Sequence, residues 1–110
     1  MTEERSLVRN AGDVQQIRKA EQKSRLRIKE ELADIRALIE SPVGRRFFWR
    51  YLGICGINQE SFVPGAPDST AFNEGKRNIG NRLLSDIMEA KAEAYIQMMQ
   101  EAKKKEETDG

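Results

Sequence analysis

Residues 41–56 read SPVGRRFFWRYLGICG, and this stretch decides which fold the chain can adopt. Ser41-Pro42 marks a boundary, because proline disfavours helix at the residue before it but suits the first position of a new, serine-capped helix. Gly56 has no side chain, so it suits the left-handed turn that ends many helices. The stretch therefore predicts a short helix over residues 42–55.

This short helix is the most apolar segment of the chain. Helical spacing places Val43, Phe47, Tyr51 and Ile54 on one face, with other apolar residues beside it. We therefore predict that the helix packs into a hydrophobic core together with the helix that follows it. The predicted core residues are Phe47, Phe48, Tyr51, Leu52, Phe72, Ile79, Leu83 and Ile87.

Longer helices are predicted on both sides of this segment. Residues 13–40 contain neither proline nor glycine, and Leu32, Ile35 and Ile39 follow helical spacing. An apolar stripe predicts another helix over 70–103, after a loop over 56–69 that contains Pro-Gly-Ala-Pro. Residues 1–12 are expected to form a flexible leader and residues 104–110 a polar tail. The predicted fold is all-α, with two long helices in a hairpin and the short aromatic helix at the turn, in one domain over 13–103.

The composition points to burial against partners. Apolar residues make up 38% of the 110 residues and charged residues 34%, which is little apolar material for a self-sufficient core. The charges of the 19 basic and 18 acidic residues nearly cancel. Any electrostatic attraction to a partner must therefore come from a local cluster of charges. We find no run of about 18 apolar residues, so we expect no membrane span and a protein that stays in the cytoplasm where it is made.

The residue types also restrict catalysis. The chain has no histidine, which removes the commonest general base and the usual imidazole ligand of zinc. Cys55 is the sole cysteine, so neither an intramolecular disulfide nor a cysteine cluster for a metal can form. We therefore expect no enzymatic activity, no cofactor and no metal.

Polar residues of the short helix form a candidate contact site at Arg45, Arg46, Trp49 and Arg50. Guanidinium groups can bind phosphate, and tryptophan can stack on a base, which favours nucleic acid or an acidic partner. Alternatively, the arginine stems cover the edge of the core or pair with glutamates of a neighbouring helix. Glu74 can pair with Asn78 in its own helix or, as a polar latch between the second and third predicted helices, with Arg45, Arg46 or Arg50.

The distal half of the third predicted helix has more apolar residues than one stripe can use. Met88, Tyr95, Ile96, Met98 and Met99 fall on more than one face. A hairpin covers a single side of this helix, so we expect the apolar residues on its other faces to pack on another subunit or on a partner.

Two motifs resemble a known family. The stretch 41–56, followed by TAFNEGKRNIG at residues 70–80, resembles the Bbp-type family of small tailed-phage proteins, named from a Bordetella bacteriophage. The resemblance covers roughly residues 34–90, and the motifs GRRFFW and FNEGKR are the specific part. It implies a role in the virion or in its assembly, and it brings no catalytic residues.

The leading hypothesis is a multi-copy, non-enzymatic virion protein inside the head, at the portal or among the ejection proteins. Its expected partners are other phage structural proteins and further copies of itself, with contact to packaged DNA possible. One alternative is an assembly, scaffold or DNA-packaging accessory factor. Another is a small nucleic-acid-binding module.

Overall fold

A computed structural model describes the backbone of residues 2–109 and the side chains of residues 11–109. The backbone forms four helices, and residues 2–109 contain no strand, which confirms the predicted all-α class. The helices are α1 (Thr2–Glu40), α2 (Pro42–Cys55), α3 (Pro67–Ala90) and α4 (Ala94–Asp109).

Three predicted boundaries are wrong. The first helix begins at Thr2 rather than at Asp13, so its backbone runs through the predicted leader; the leader's Met1 and the side chains of residues 1–10 lie outside the described residues. Pro67, which suits a first helical position, starts α3 three residues before the predicted Thr70. At the other end, α4 runs to Asp109 through most of the predicted tail.

The predicted helix over 70–103 is in fact two helices, separated at Lys91. The backbone of Lys91 is extended, at φ −155° and ψ 109°, while its N–H still donates to the Ile87 carbonyl at 2.9 Å. The Ala94 N–H donates to the Lys91 carbonyl at 3.0 Å. Ala94 and Met98 of α4 are buried, so the break redirects the chain and lets α4 contribute its own residues to the core.

The packing differs from the predicted hairpin of two long helices. The aromatic α2 packs on both α3 and α4, and α3 packs on α4. Of α1, Ile39 is buried in the same core and Ile35 packs against it. The hairpin is therefore not confirmed, and α2 is a full partner in a small helical cluster.

The bounds of α2 coincide with those predicted from its end signals. Ser41 is the N-cap, with its hydroxyl accepting from the Gly44 N–H at 3.5 Å, and Pro42 occupies the first turn. Gly56 is the C-cap in the left-handed region, at φ 72° and ψ 36°, and its N–H donates to the Gly53 carbonyl.

The core contains part of the predicted set. Phe48, Leu52 and Ile87 are buried, and Leu83 packs at the edge. Phe72 and Ile79 are each 67% exposed, so their assignment to the core is wrong, because α3 buries its Gly80, Leu83, Leu84 and Ile87 side instead. Among residues 11–109, the buried hydrophobic residues are Ile39, Phe48, Leu52, Ile87, Ala94 and Met98.

Two glycines allow the close approaches around α2. A Cβ on Gly44 would overlap the backbone carbonyl of Leu38, where the chain turns from α1 into α2. A Cβ on Gly80 of α3 would lie 2.5 Å from the Cβ of Cys55 and 2.7 Å from Ile57. Both glycines are buried, so the backbones of α2 and its neighbours approach where side chains are smallest.

The chain divides into two compact units, residues 1–31 and residues 32–110. In the first unit, every described side chain is exposed, including Val14, Ile17 and Ile28. Glu21 and Arg25 form an exposed ion pair at 3.9 Å, one helical turn apart. The second unit contains the core described above.

Candidate functional site

One side of α2 is buried and the opposite side is exposed. Phe48 and Leu52 face the core, whereas Val43, Phe47, Tyr51 and Ile54, here named the apolar row, are between 42% and 65% exposed. The spacing of the apolar row keeps its members on one face of the helix. Phe47 and Tyr51 were predicted in the core, and this is wrong, because the side of α2 that carries Gly44 and Cys55 approaches its neighbours instead.

An open groove of about 680 Å³ lies between α2 and α4, next to the apolar row. On the α2 side, Val43 and Phe47 of the row line it together with arginines and Trp49. On the α4 side it is lined by Glu101, Ala102 and Lys105. The groove therefore places apolar and cationic groups side by side on one surface.

Arg45 is held inside the fold rather than offered to a partner. Its Nε donates to both carboxylate oxygens of Glu101, at 2.8 and 3.0 Å, and its Nη1 donates to the Ile39 carbonyl at 2.8 Å. The Arg45 side chain is only 11% exposed. Its assignment as a partner contact is therefore corrected: Arg45 ties α2 to α4 and to the end of α1.

Arg46 and Arg50 remain available, since no acidic side chain among residues 11–109 lies within ion-pairing distance of either. Both are exposed. The Arg50 guanidinium carbon lies 5.9 Å from the Phe47 ring centre and 5.5 Å from that of Tyr51. A guanidinium at this distance interacts with the ring faces and keeps its outer edge free for an anion.

Trp49 is partly buried at the junction of α2 and α4. Its ring packs against that of Tyr95, with centroids 5.8 Å apart and planes tilted by 39°. The Tyr95 hydroxyl in turn accepts from the Asn58 side-chain amide at 3.2 Å. Trp49 thus lines the groove while it also stabilises the contact between the two helices.

Glu74 does not form the predicted latch with an arginine of α2. Its carboxylate accepts from the Ser61 hydroxyl, and the neighbouring Asn73 side chain donates to the Ser61 carbonyl at 3.2 Å. Thr70 accepts from the Val63 N–H at 2.9 Å. The polar start of α3 therefore binds the preceding loop, which folds back over it, and the latch of this fold is Arg45 with Glu101.

The sequence reasoning missed Glu101 and Lys105. Glu101 is 56 residues away from Arg45, so no local spacing links them. Lys105 lies in the stretch that was predicted to be a solvated tail. The one available signal was the absence of acidic residues on α2, which requires any partner of Arg45 to come from another element.

In the described part of the chain, no group of three or more Cys, Asp or Glu side chains converges to hold a metal ion. None of the helices in that part combines the length and the apolar character needed to cross a bilayer.

Comparison with known protein families gives a match. The model of the Bbp19-like phage protein family matches residues 35–100, more than half of the chain. The matched region contains all of α2 and α3 and the first part of α4, whereas Glu101 and Lys105 lie just beyond it. No curated protein and no solved structure matches.

Proposed function

The chain belongs to the Bbp19-like phage proteins, and on that premise we propose that it is a non-enzymatic virion protein, present in several copies. It docks inside the head, at the portal or among the ejection proteins. It acts through helical contacts with other phage structural proteins and with further copies of itself.

The apolar row of α2 is the observation that carries this proposal. Its four large side chains lie on a well-packed helix, with Phe48 and Leu52 anchoring the opposite side in the core. Adjacent exposed apolar side chains on a rigid element are typical of surfaces that become buried in an assembly. The exposed Met88, Ile96 and Met99 of α3 and α4 add further surface of this kind.

Quantitative mass spectrometry of purified mature particles and of proheads tests the proposal. We expect the chain in mature particles, at several copies for each portal ring. Its absence from mature particles would overturn the proposal.

Presence in proheads alone would instead favour an assembly, scaffold or packaging accessory role. The family and the exposed apolar surface support this second candidate equally. The two candidates differ only in whether the chain is retained on maturation, so the same measurement separates them.

A nucleic-acid-binding role is favoured by one specific observation: Arg46, Arg50 and Lys105 line the same groove. It predicts DNA affinity that falls as salt rises and that Arg46→Ala weakens with the fold intact. The engagement of Trp49 with Tyr95 argues against Trp49 as a free stacking platform for bases. Binding that is undetectable at low salt would eliminate this candidate.

A further inference from the structure

We propose that the groove between α2 and α4, together with the apolar row, binds an acidic amphipathic helix of another phage protein. This inference rests on the proposed function, because it names the chemistry of the partner that the virion protein docks on. It concerns one surface, defined by the apolar row, Arg46, Arg50 and Lys105.

The charges of the groove select an acidic partner. Four basic side chains line it, Arg45, Arg46, Arg50 and Lys105, against one acid, Glu101, which leaves a net charge of +3. Arg45 and Glu101 neutralise each other, so the excess belongs to the other three. The helix α2 has no acidic residue, although the whole chain is almost neutral. Complementary charges steer association and set the register of an interface.

The shape and the apolar content select a helix. Val43 and Phe47 lie both in the apolar row and in the groove lining, so the apolar surface continues from α2 toward α4. Two packed helices present a trough that can receive a third, with anchors on the incoming helix at every third or fourth position. Acidic residues beside those anchors would reach Arg46, Arg50 and Lys105.

A second copy of α2 fits poorly, because an antiparallel contact between two apolar rows would bring the like charges of Arg46 and Arg50 from both copies onto the same flank. Nucleic acid also fits less well. Phosphates would satisfy the cations, but Val43, Phe47 and Ile54 would keep their apolar surface in water. An acidic amphipathic helix would pair with the cations and would also bury the apolar side chains.

Site-specific photo-cross-linking in cells that produce the phage encoding this chain tests the inference. Benzoylphenylalanine replaces Phe47 in one variant and Phe72 in a matched control, since Phe72 is also an exposed phenylalanine, at 67% against 48% for Phe47, but lies on α3, away from the groove. Cross-linked peptides are sequenced from whole-cell lysates, from proheads and from mature particles. We expect position 47, and not position 72, to capture a peptide of another phage protein, with Asp or Glu at helical spacing beside apolar residues.

A second experiment reverses the charges of the groove. Arg46→Glu with Arg50→Glu is expected to lower the yield at position 47 by about tenfold, the factor that corresponds to roughly 1.4 kcal/mol. Lys103→Glu with Lys104→Glu reverses the same number of exposed charges outside the groove lining and is expected to leave the yield unchanged. Circular dichroism shows whether each variant retains its helices.

Capture of a second copy of the chain, of DNA, of a peptide without acidic residues, or of nothing would overturn the inference. An unchanged yield after reversal of Arg46 and Arg50 would also overturn it. The particle content of the chain is measured in the same samples, so the two proposals can fail separately. A chain absent from particles that still captures an acidic helix would overturn only the virion role.

Discussion

Replacing Gly80 with alanine probes the contact between α3 and the end of α2, and Gly75→Ala provides a matched control in the same helix. Both glycines lie inside α3. Nothing lies within 4 Å of a Cβ added at Gly75, whereas a Cβ at Gly80 would lie 2.5 Å from Cys55 and 2.7 Å from Ile57. The two substitutions are chemically identical and differ only in what the new methyl group meets.

The expected magnitudes follow from these distances. Alanine gains about 1 kcal/mol over glycine inside a helix, so Gly75→Ala should raise the free energy of unfolding by about that amount. Gly80→Ala has the same gain, but carbon atoms prefer separations of about 3.5–4.0 Å, so its surroundings must retreat by about 1 Å. Such overpacking costs about 1–3 kcal/mol. Because the helix gain cancels in the comparison, the variants should differ by about 1–3 kcal/mol, with Gly80→Ala the less stable.

The sole tryptophan, Trp49, lies between α2 and α4, so its fluorescence follows unfolding of this part of the chain. For a domain of this size, 1 kcal/mol shifts Tm by about 4–8 °C. Gly80→Ala should therefore melt at least about 4 °C below Gly75→Ala. Equal stabilisation by both substitutions would refute the close approach of α3 to Cys55.

Three further predictions test the parts of the site by chemical denaturation. Phe48→Ala should reduce the free energy of unfolding by about 3–5 kcal/mol because it leaves a cavity, whereas Phe47→Ala should change it by less than about 1 kcal/mol; equal losses would contradict the two-sided α2. Glu101→Gln should reduce it by about 1–3 kcal/mol, because Arg45 loses a charged partner, and an unchanged value would show that this ion pair contributes nothing. Ser41→Ala should reduce it by about 0.5–1 kcal/mol, the lower part of the range for an N-cap, because its hydrogen bond is long; a loss of a much larger size would mean that Ser41 does more than cap α2.

Local signals in the sequence were sufficient for the bounds of α2. Ser41, Pro42 and Gly56 act through their own backbone preferences, which do not depend on the rest of the fold. The break at Lys91 has no such signal, because its neighbours Ala90, Ala92 and Glu93 are all compatible with helix. The burial of Ala94 and Met98 accompanies that break, and their burial depends on the tertiary packing.

The number of apolar residues on each side of α2 did not predict which side is buried. Both sides are apolar, and the predicted core took residues from both: Phe47 and Tyr51 of the apolar row, and Phe48 and Leu52 of the opposite side. The buried side carries Gly44 and Cys55, whose small size lets Leu38 and Gly80 approach. Close packing of backbones favours small residues, and this is a signal that a sequence does contain.

The candidate site was predicted only in part. Arg46 and Arg50 are exposed, as a contact surface requires, whereas Arg45 turned inward to a glutamate 56 residues away. Glu74 was predicted to link the second and third helices, but its carboxylate accepts from Ser61 in the preceding loop instead. Residue types thus indicated that these side chains make specific contacts. The identity of each partner depended on the tertiary fold.

The central claim is that the exposed side of α2 is a docking surface for an acidic helix of another phage protein. A cryo-EM map of the assembled particle, at a resolution that shows side chains, measures this directly. The predicted result is a helix from a different protein against Val43, Phe47 and Tyr51, with its carboxylates at Arg46 and Arg50. A map in which this side of α2 faces open solvent, packaged DNA or another copy of α2 would contradict the claim.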